Sequence, residues 1–287
     1  NIDRQIGRVV EAMERAGLAD RTFFVLVTDH AHVPTHEGRT QDVVGWLQQR
    51  RGLRVHEGDI GIADAERRAA YLAKLDALVM NGSHRRLAVF LRGPGGWSTP
   101  PTAQQVRALV EGPTNPTGGS QRLCNLPGVA LAAAPIAPGR VQVFSRRGAG
   151  LIERREENGR TTYRLTSLTS GPDGRPADPL DCRRETKLSQ FLDAGWHDSR
   201  EWLAATAGTR YPDFVPQIAQ FFDAPRSCDV VVFADEDWSF KGHTRGAHGS
   251  CLDRDMIIPM MFAGPGLPRG ATIECARLVD VMPTILD

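Results

Sequence analysis

Residues 22–32, TFFVLVTDHAH, decide which fold the sequence predicts. The first seven of them carry apolar or β-branched side chains on both faces, as a central strand of a parallel sheet does. Upstream, residues 2–17 place apolar side chains at helical spacing and end at Gly17, a residue type that commonly follows a helix. A helix, a short loop and a buried strand in succession predict the α/β class. We expect a doubly wound α/β/α sandwich with a mainly parallel sheet.

The rest of the chain alternates in a similar way, apart from one strand-rich stretch. The apolar patterns predict helices and buried strands, with helices at 40–50, 64–80, 186–194 and 199–206 and strands at 86–91, 228–234 and 256–266. Thr102 and Gln105 form a capping-box pattern that predicts the start of another helix. Residues from approximately 120 to 185 contain short strands joined by Gly- and Asn-containing turns, which predict a small inserted antiparallel lobe. We therefore expect residues 1–287 to form a single α/β domain that carries this lobe.

The composition excludes several classes of function. The 287 residues are 41% hydrophobic and 24% charged with a net charge of +1, which is ordinary for a globular protein. No basic block stands out, so we expect no nucleic-acid-binding surface. No apolar run approaches the roughly 18–20 residues of a membrane span, so we expect no membrane segment in this chain. The five cysteines are scattered without a C-x-x-C pair, which favours free thiols.

Candidate metal ligands follow two of the predicted strands. Asp29 and His30 come directly after the strand at 22–28, and His248 lies in a glycine-rich loop after the strand at 228–234. In an open α/β sheet, ligands bind outside the carboxyl ends of the strands. A carboxylate with imidazoles is a usual ligand set for zinc or manganese. The alternatives from the residues alone are a turn or cap role for Asp29 and, for the nearby His243, a solvated position or one beside the ligands; the glycines that flank His248 favour a ligand role for it.

Four further residues have weaker patterns. His32 and His243 are candidates for positions beside the metal ligands, where they would orient ligands without binding the metal. Ser250 and Cys251 could be proposed as nucleophiles. Their context, AHGSCL, lacks the G-x-S-x-G turn that presents a nucleophilic serine in hydrolases, and we assign them no catalytic role.

Three segments together resemble the alkaline phosphatase superfamily. NIDRQIGRVVEAMERAGLADRTFFVLVTDHAH (residues 1–32) resembles the stretch of that superfamily in which a helix and a turn lead into a strand ending in S-D-H-G. GAHGSCLDRDMIIPMMFAGPGLPRGATIECARLVDVMPTILD (residues 246–287) is similar to its closing segment, with H-G, a D-M-x-x-P strand and G-P-G. The strand-rich middle is similar to that of the type I phosphodiesterase/nucleotide pyrophosphatase branch. Thr28 and Ala31 stand where the superfamily motif has Ser and Gly.

The resemblance implies a phosphoric ester hydrolase that uses two divalent metal ions on a small-molecule phosphoester. The ions are expected to be zinc, with manganese as the alternative. Asp29 and His30 would bind one ion and His248 would contribute to the other. The superfamily's Thr or Ser nucleophile precedes the segment on which this chain opens, so it is expected upstream of Asn1 and no catalytic residue is assigned here. Both ends of the chain are accordingly expected to be truncated.

Three other functions stay open at this point. A metal-dependent phosphomutase or a sulfatase of the same superfamily would use related motifs. From a different class, a non-catalytic binding module could retain the fold. The nucleophile and the remaining metal ligands would separate the hydrolase from the binding module.

Overall fold

The computed structural model describes residues 1–112, 122–171, 174–242 and 245–286. Within these ranges the chain forms α-helices, which are α1 Ile2–Arg15, α2 Val43–Arg51, α3 Ala65–Leu72, α4 Ala103–Glu111, α5 Ser199–Thr206, α6 Phe214–Phe221, α7 Asp253–Met256 and α8 Val281–Leu286. Strands alternate with these helices along most of the chain, which confirms the α/β class. None of the helices in the described ranges combines the length and the hydropathy that a membrane span requires.

The strands in the same ranges vary from two to ten residues in length. They are β1 Phe24–Val27, β2 Val33–Pro34, β3 Val55–Glu57, β4 Ala77–Met80, β5 Arg86–Leu91, β6 Val129–Ala137, β7 Arg140–Ser145, β8 Gly148–Glu157, β9 Arg160–Ser167, β10 His197–Asp198, β11 Val230–Ala234, β12 Gly246–Ala247 and β13 Met260–Ala263. The chain divides into two compact units, of which the first comprises residues 1–31 and 257–287 and the second residues 32–256.

In the first unit, β1 pairs with β13 as a two-stranded antiparallel sheet, with Phe24 opposite Ala263 and Val27 opposite Met260. All four residues of β1 are half-buried. The prediction of a central parallel strand at residues 22–28 is therefore wrong in its direction. A run that is apolar on both faces indicates burial, but it carries no information about the direction of the neighbouring strand.

The second unit is built on a nine-stranded sheet in the order β10-β9-β8-β7-β6-β11-β5-β4-β3. Among its described strands only β3 and β4 pair in parallel, so the prediction of a mainly parallel sheet is wrong. The connections explain this result. Two residues, Asn158 and Gly159, join β8 to β9, and both have positive φ, as a tight hairpin turn requires. Parallel neighbours need a crossover of a dozen or more residues, which such turns exclude.

Both faces of this sheet are covered by helices. In β11, Val231 and Phe233 belong to a core cluster that includes Trp202 of α5 and residues of α6. Val230 and Val232 point to the opposite face and belong to a second cluster, which includes residues of α2 and α4. Strands β6 to β9 form the predicted antiparallel meander, and the β6–β11 pairing continues it into the rest of the sheet.

Local signals predicted several elements well. Helix α1 ends before Gly17, which has φ +67°. Helix α4 begins with the predicted capping box, in which Thr102 and Gln105 bond each other's backbone N–H groups. The helix predicted at 64–80 is wrong in its second half, because α3 ends at Leu72 and Ala77–Met80 is strand β4. Residues 186–194 contain a short 3₁₀ turn, Leu188–Gln190, where a helix was predicted. All five cysteines are free, as predicted.

An ion pair lies at the start of the β3–β4 pair. Arg54 donates from Nε and Nη2 to both carboxylate oxygens of Asp76, at 2.9 and 2.7 Å. These hydrogen bonds are the main cause that lowers the pKa of Asp76 from 3.8 to about 2. Because the folded pKa lies below the unfolded value, the pair stabilises the fold above about pH 4, and this contribution is lost as the pH falls towards 2.

We expect Asp76→Asn to flatten the pH dependence of the free energy of unfolding between pH 4 and pH 2. The effect at neutral pH should stay below about 1 kcal/mol, because the Arg54 side chain is 60% exposed to solvent. Urea denaturation at several pH values measures it. The same substitution at the exposed Asp20 is the control, and an equal change there would contradict the role of the pair.

Candidate functional site

Asp29 and His30 lie in the turn that directly follows β1, as the sequence predicts. The Asp29 side chain is 85% exposed and the His30 side chain 39% exposed. The backbone N–H of His30 donates to Asp29 Oδ1 at 3.1 Å, and His30 Nε2 lies 3.3 Å from Asp29 Oδ2. The carboxylate and the imidazole are therefore side by side at the carboxyl end of the strand.

The other ring nitrogen of His30 lies beside a backbone carbonyl. His30 Nδ1 lies 2.9 Å from the carbonyl oxygen of Ala31. A carbonyl oxygen only accepts hydrogen bonds, so Nδ1 carries a proton in this contact. In the neutral ring, Nε2 then holds the lone pair 3.3 Å from a carboxylate oxygen. Two acceptors this close are stabilised by a proton or a cation between them, and a histidine that donates Nδ1–H to a carbonyl is the usual form of a metal ligand.

His248 lies in the second unit, beside Ser83 and His84. The backbone N–H of His248 donates to the carbonyl of Ser83 at 3.3 Å, and His84 and His248 form an isolated parallel bridge. The His248 side chain is half-buried. Within the described part of the chain, the buried Oγ of Ser83 has no hydrogen-bond partner. Gly249 follows with φ +102°, a conformation that residues with a Cβ rarely adopt.

His32 contacts His248 directly. The two ring centroids are 5.9 Å apart, with the ring planes at 36° to each other. A Cβ on Gly246 would lie 2.4 Å from Cε1 of His32, so a larger residue at position 246 would displace this ring. If His248 binds a metal, this contact places His32 beside a metal ligand, which is the position predicted for His32. The other residue predicted for such a position, His243, lies outside the described residues.

A buried arginine holds the loop that precedes His248. Arg85 is 1% exposed, and its Nε and Nη2 each donate to one carboxylate oxygen of Asp255 at 2.8 Å. Its Nη1 donates to the carbonyls of Asp235 and Trp238 at 3.2 and 2.6 Å. Asp255 Oδ1 also accepts the backbone N–H of Ser250 at 3.1 Å. Sequence reasoning missed Arg85 and Asp255, because no local pattern links residues 170 positions apart.

Ser250 and Cys251 are both buried and are held in structural roles. The Ser250 hydroxyl donates to the carbonyl of Ala234 at 2.6 Å, so its proton is already engaged. Burial is the main cause that raises the pKa of the Cys251 thiol well above its usual range. A buried, protonated thiol is a poor nucleophile. The surroundings of Ser250 and Cys251 therefore support a structural role for both residues.

The predicted ligands thus fall into two places. Asp29 and His30 are adjacent in the first unit, and His248 lies with His32 in the second. Among the residues that the structure describes, no cluster of three or more His, Cys, Asp or Glu side chains is arranged to hold a metal ion.

No protein-family model matches the chain, and no curated protein or solved structure matches it either. The resemblance to the alkaline phosphatase superfamily therefore rests on the sequence motifs alone.

Proposed function

We propose that this chain carries part of the metal centre of a phosphoric ester hydrolase similar to phosphodiesterases of the alkaline phosphatase superfamily. Asp29 and His30 would bind one divalent ion, and His248 would contribute to a second. The observation that carries the proposal is the position of Asp29 and His30 side by side after β1. His30 Nε2 lies 3.3 Å from Asp29 Oδ2 and His30 Nδ1 lies 2.9 Å from the Ala31 carbonyl, an arrangement in which Nε2 and the carboxylate would face one metal ion.

The residues would contribute in different ways. The Asp29 carboxylate would supply negative charge, and the Ala31 carbonyl would keep His30 in its binding tautomer. His32 would restrict the orientation of the His248 ring through the contact between the rings. Two divalent ions, zinc or alternatively manganese, stabilise the attacking and leaving oxygens of a phosphoryl transfer when they are bound. No residue of this chain is assigned as the nucleophile, which in the superfamily is a Thr or Ser.

The proposal includes the layered fold of that superfamily. Helices on both faces of the nine-stranded sheet support an α/β/α sandwich in the second unit. The mainly antiparallel strand order gives no support to doubly wound connectivity.

Zinc binding tests the metal ligands. We expect His30→Ala and His248→Ala each to weaken zinc affinity at least tenfold, since each removes a nitrogen ligand. Isothermal titration calorimetry on the metal-depleted protein measures the affinity. His36→Ala is the control, because the 56% exposed His36 pairs with Asp237 and belongs to neither predicted ligand set. Zinc affinity that is unchanged in both variants would contradict the proposal.

The proposed phosphoester hydrolysis needs a measurement separate from that of zinc binding. We expect the zinc-loaded protein to bind orthovanadate, a phosphate analogue, and to lose this binding after His248→Ala. Without an assigned nucleophile, residues 1–287 should not hydrolyse a nitrophenyl phosphodiester faster than zinc alone. Zinc-dependent turnover that His248→Ala abolishes would place the nucleophile within this chain and contradict the assignment. Zinc binding without vanadate binding would favour a non-catalytic module.

A further inference from the structure

Two adjoining cavities in the second unit are lined by arginines that the proposed metal centre does not use. The larger cavity has a volume of about 590 Å³ and the smaller about 210 Å³. They share Arg146, Arg210 and Asp235 in their walls, so they lie next to each other. The smaller cavity is lined by four arginines and by two carboxylates, which gives it an excess of positive charge.

Arg146 is held in place without being neutralised. It lies in the two-residue turn between β7 and β8. Its Nε donates to the carbonyl of Cys124 at 3.2 Å, and its Nη2 donates to the carbonyls of Leu126 and Pro127, both at 2.9 Å. Among the described residues, it forms no salt bridge. A guanidinium that is already oriented loses little side-chain entropy when it binds an anion.

Arg147 and Arg184 share one carboxylate. Arg147 Nη1 lies 2.9 Å from Asp181 Oδ1, and Arg184 Nη1 lies 3.2 Å from Asp181 Oδ2. The Asp181 side chain is only 12% exposed, so its position between the two arginines is well defined. One negative charge cannot balance two guanidinium groups, and a second uncompensated positive charge therefore lines the smaller cavity.

Arg210, which lines both cavities, is already paired. It forms ion pairs with Asp235 and Glu236, and these three side chains together carry one net negative charge, so the excess of positive charge lies with Arg146, Arg147 and Arg184. In the larger cavity, Trp238 and Pro127 add apolar surface beside Asn125. This larger cavity is open to solvent, so a ligand there would be bound on one side only.

We infer that these cavities bind a small organic anion with two or more acidic groups. Arg146 and the Arg147–Arg184 pair would bind the acidic groups, because guanidinium groups donate paired hydrogen bonds to carboxylate or phosphate oxygens. Trp238 would contact the organic part in the larger cavity. This inference does not rest on the proposed hydrolase, since none of these residues is a predicted metal ligand.

Anion binding to the metal-free protein tests the inference. Citrate and inorganic pyrophosphate are the probes, titrated by calorimetry into protein that has been depleted of metal on a chelating resin. We expect at least one of them to bind, and the affinity to fall at least tenfold with Arg146→Ala and with Arg147→Ala. Binding of citrate alone identifies a polycarboxylate site, and binding of pyrophosphate alone identifies a phosphate site. Because no metal is present, the outcome is independent of the zinc and vanadate experiments.

The controls separate a specific site from charge in general. Arg67→Ala removes one exposed arginine from α3, outside both cavities, and should change the affinity less than twofold. Arg147→Ala leaves the bonds of Arg146 to the three carbonyls in place, so it tests the site even if Arg146→Ala disturbs the turn. Circular dichroism checks the fold of each variant. The inference is overturned if neither probe binds, or if Arg67→Ala weakens binding as much as the cavity variants do.

Discussion

Arg85→Ala is expected to lower the free energy of unfolding of the second unit by about 3–5 kcal/mol, the usual cost of breaking a buried ion pair. The substitution leaves the Asp255 carboxylate, whose side chain is 0% exposed, without its cation. It also removes a donor to the part-buried carbonyls of Asp235 and Trp238, both in the loop after β11, although the Asp235 carbonyl keeps the backbone N–H of Trp238. The lost hydrogen bonds add to the cost. Urea denaturation followed by circular dichroism measures the change.

Two further variants show whether burial is the reason for this effect. Arg54→Ala removes an arginine that pairs with Asp76 in a similar bidentate geometry but is 60% exposed, and it should cost far less than Arg85→Ala. Asp255→Asn should be strongly destabilising, because it leaves the Arg85 guanidinium buried without a counter-ion. Similar losses for Arg85→Ala and Arg54→Ala would show that burial of the pair contributes little.

The fold could be predicted from the sequence as far as local patterns reach. Strand β5 was predicted at its observed bounds, 86–91, and the capping box at Thr102 located the start of α4. The helix predicted at 64–80 is wrong in its second half, because no glycine or proline separates α3 from β4 and marks the end of the helix. The short apolar run at 77–80 fits a buried helix turn and a strand equally well. The predicted direction of the strands is wrong for a related reason, since burial on both faces occurs in parallel and antiparallel sheets alike.

Prediction of the candidate site is limited in the same way for residues that are far apart in the sequence. Asp29, His30 and His248 stand out because strand ends and glycine-rich loops are local features. The ion pair of Arg85 with Asp255 and the convergence of Arg146 with Arg184 are set by the sheet, which brings distant segments together. Long-range pairs of this kind leave no trace in the spacing of residues, so only the structure could reveal them.

The glycine that follows His248 is expected to be nearly irreplaceable. Gly249 has φ +102°, and a Cβ there would lie 2.3 Å from Oγ and 2.7 Å from Cβ of Ser83. Ser83 is itself buried, with its carbonyl bonded to the His248 backbone, so it has little room to move. Backbone strain of about 1–3 kcal/mol and a steric clash of similar size should together make Gly249→Ala destabilising by about 2–6 kcal/mol.

A double-mutant cycle separates the two causes of that loss. Ser83→Gly removes the atoms that a new Cβ would meet, so in the Ser83→Gly background Gly249→Ala should cost only the backbone strain. Gly242→Ala is the matched control, since nothing lies within 4 Å of a Cβ there and its φ is not in the positive range; it should change stability by less than about 0.5 kcal/mol. We also expect the NMR signals of the His248 ring to shift in Gly249→Ala and not in Gly242→Ala. Unchanged stability and unchanged ring signals in Gly249→Ala would mean that the backbone at His248 can relax, and glycine would then be dispensable at this position.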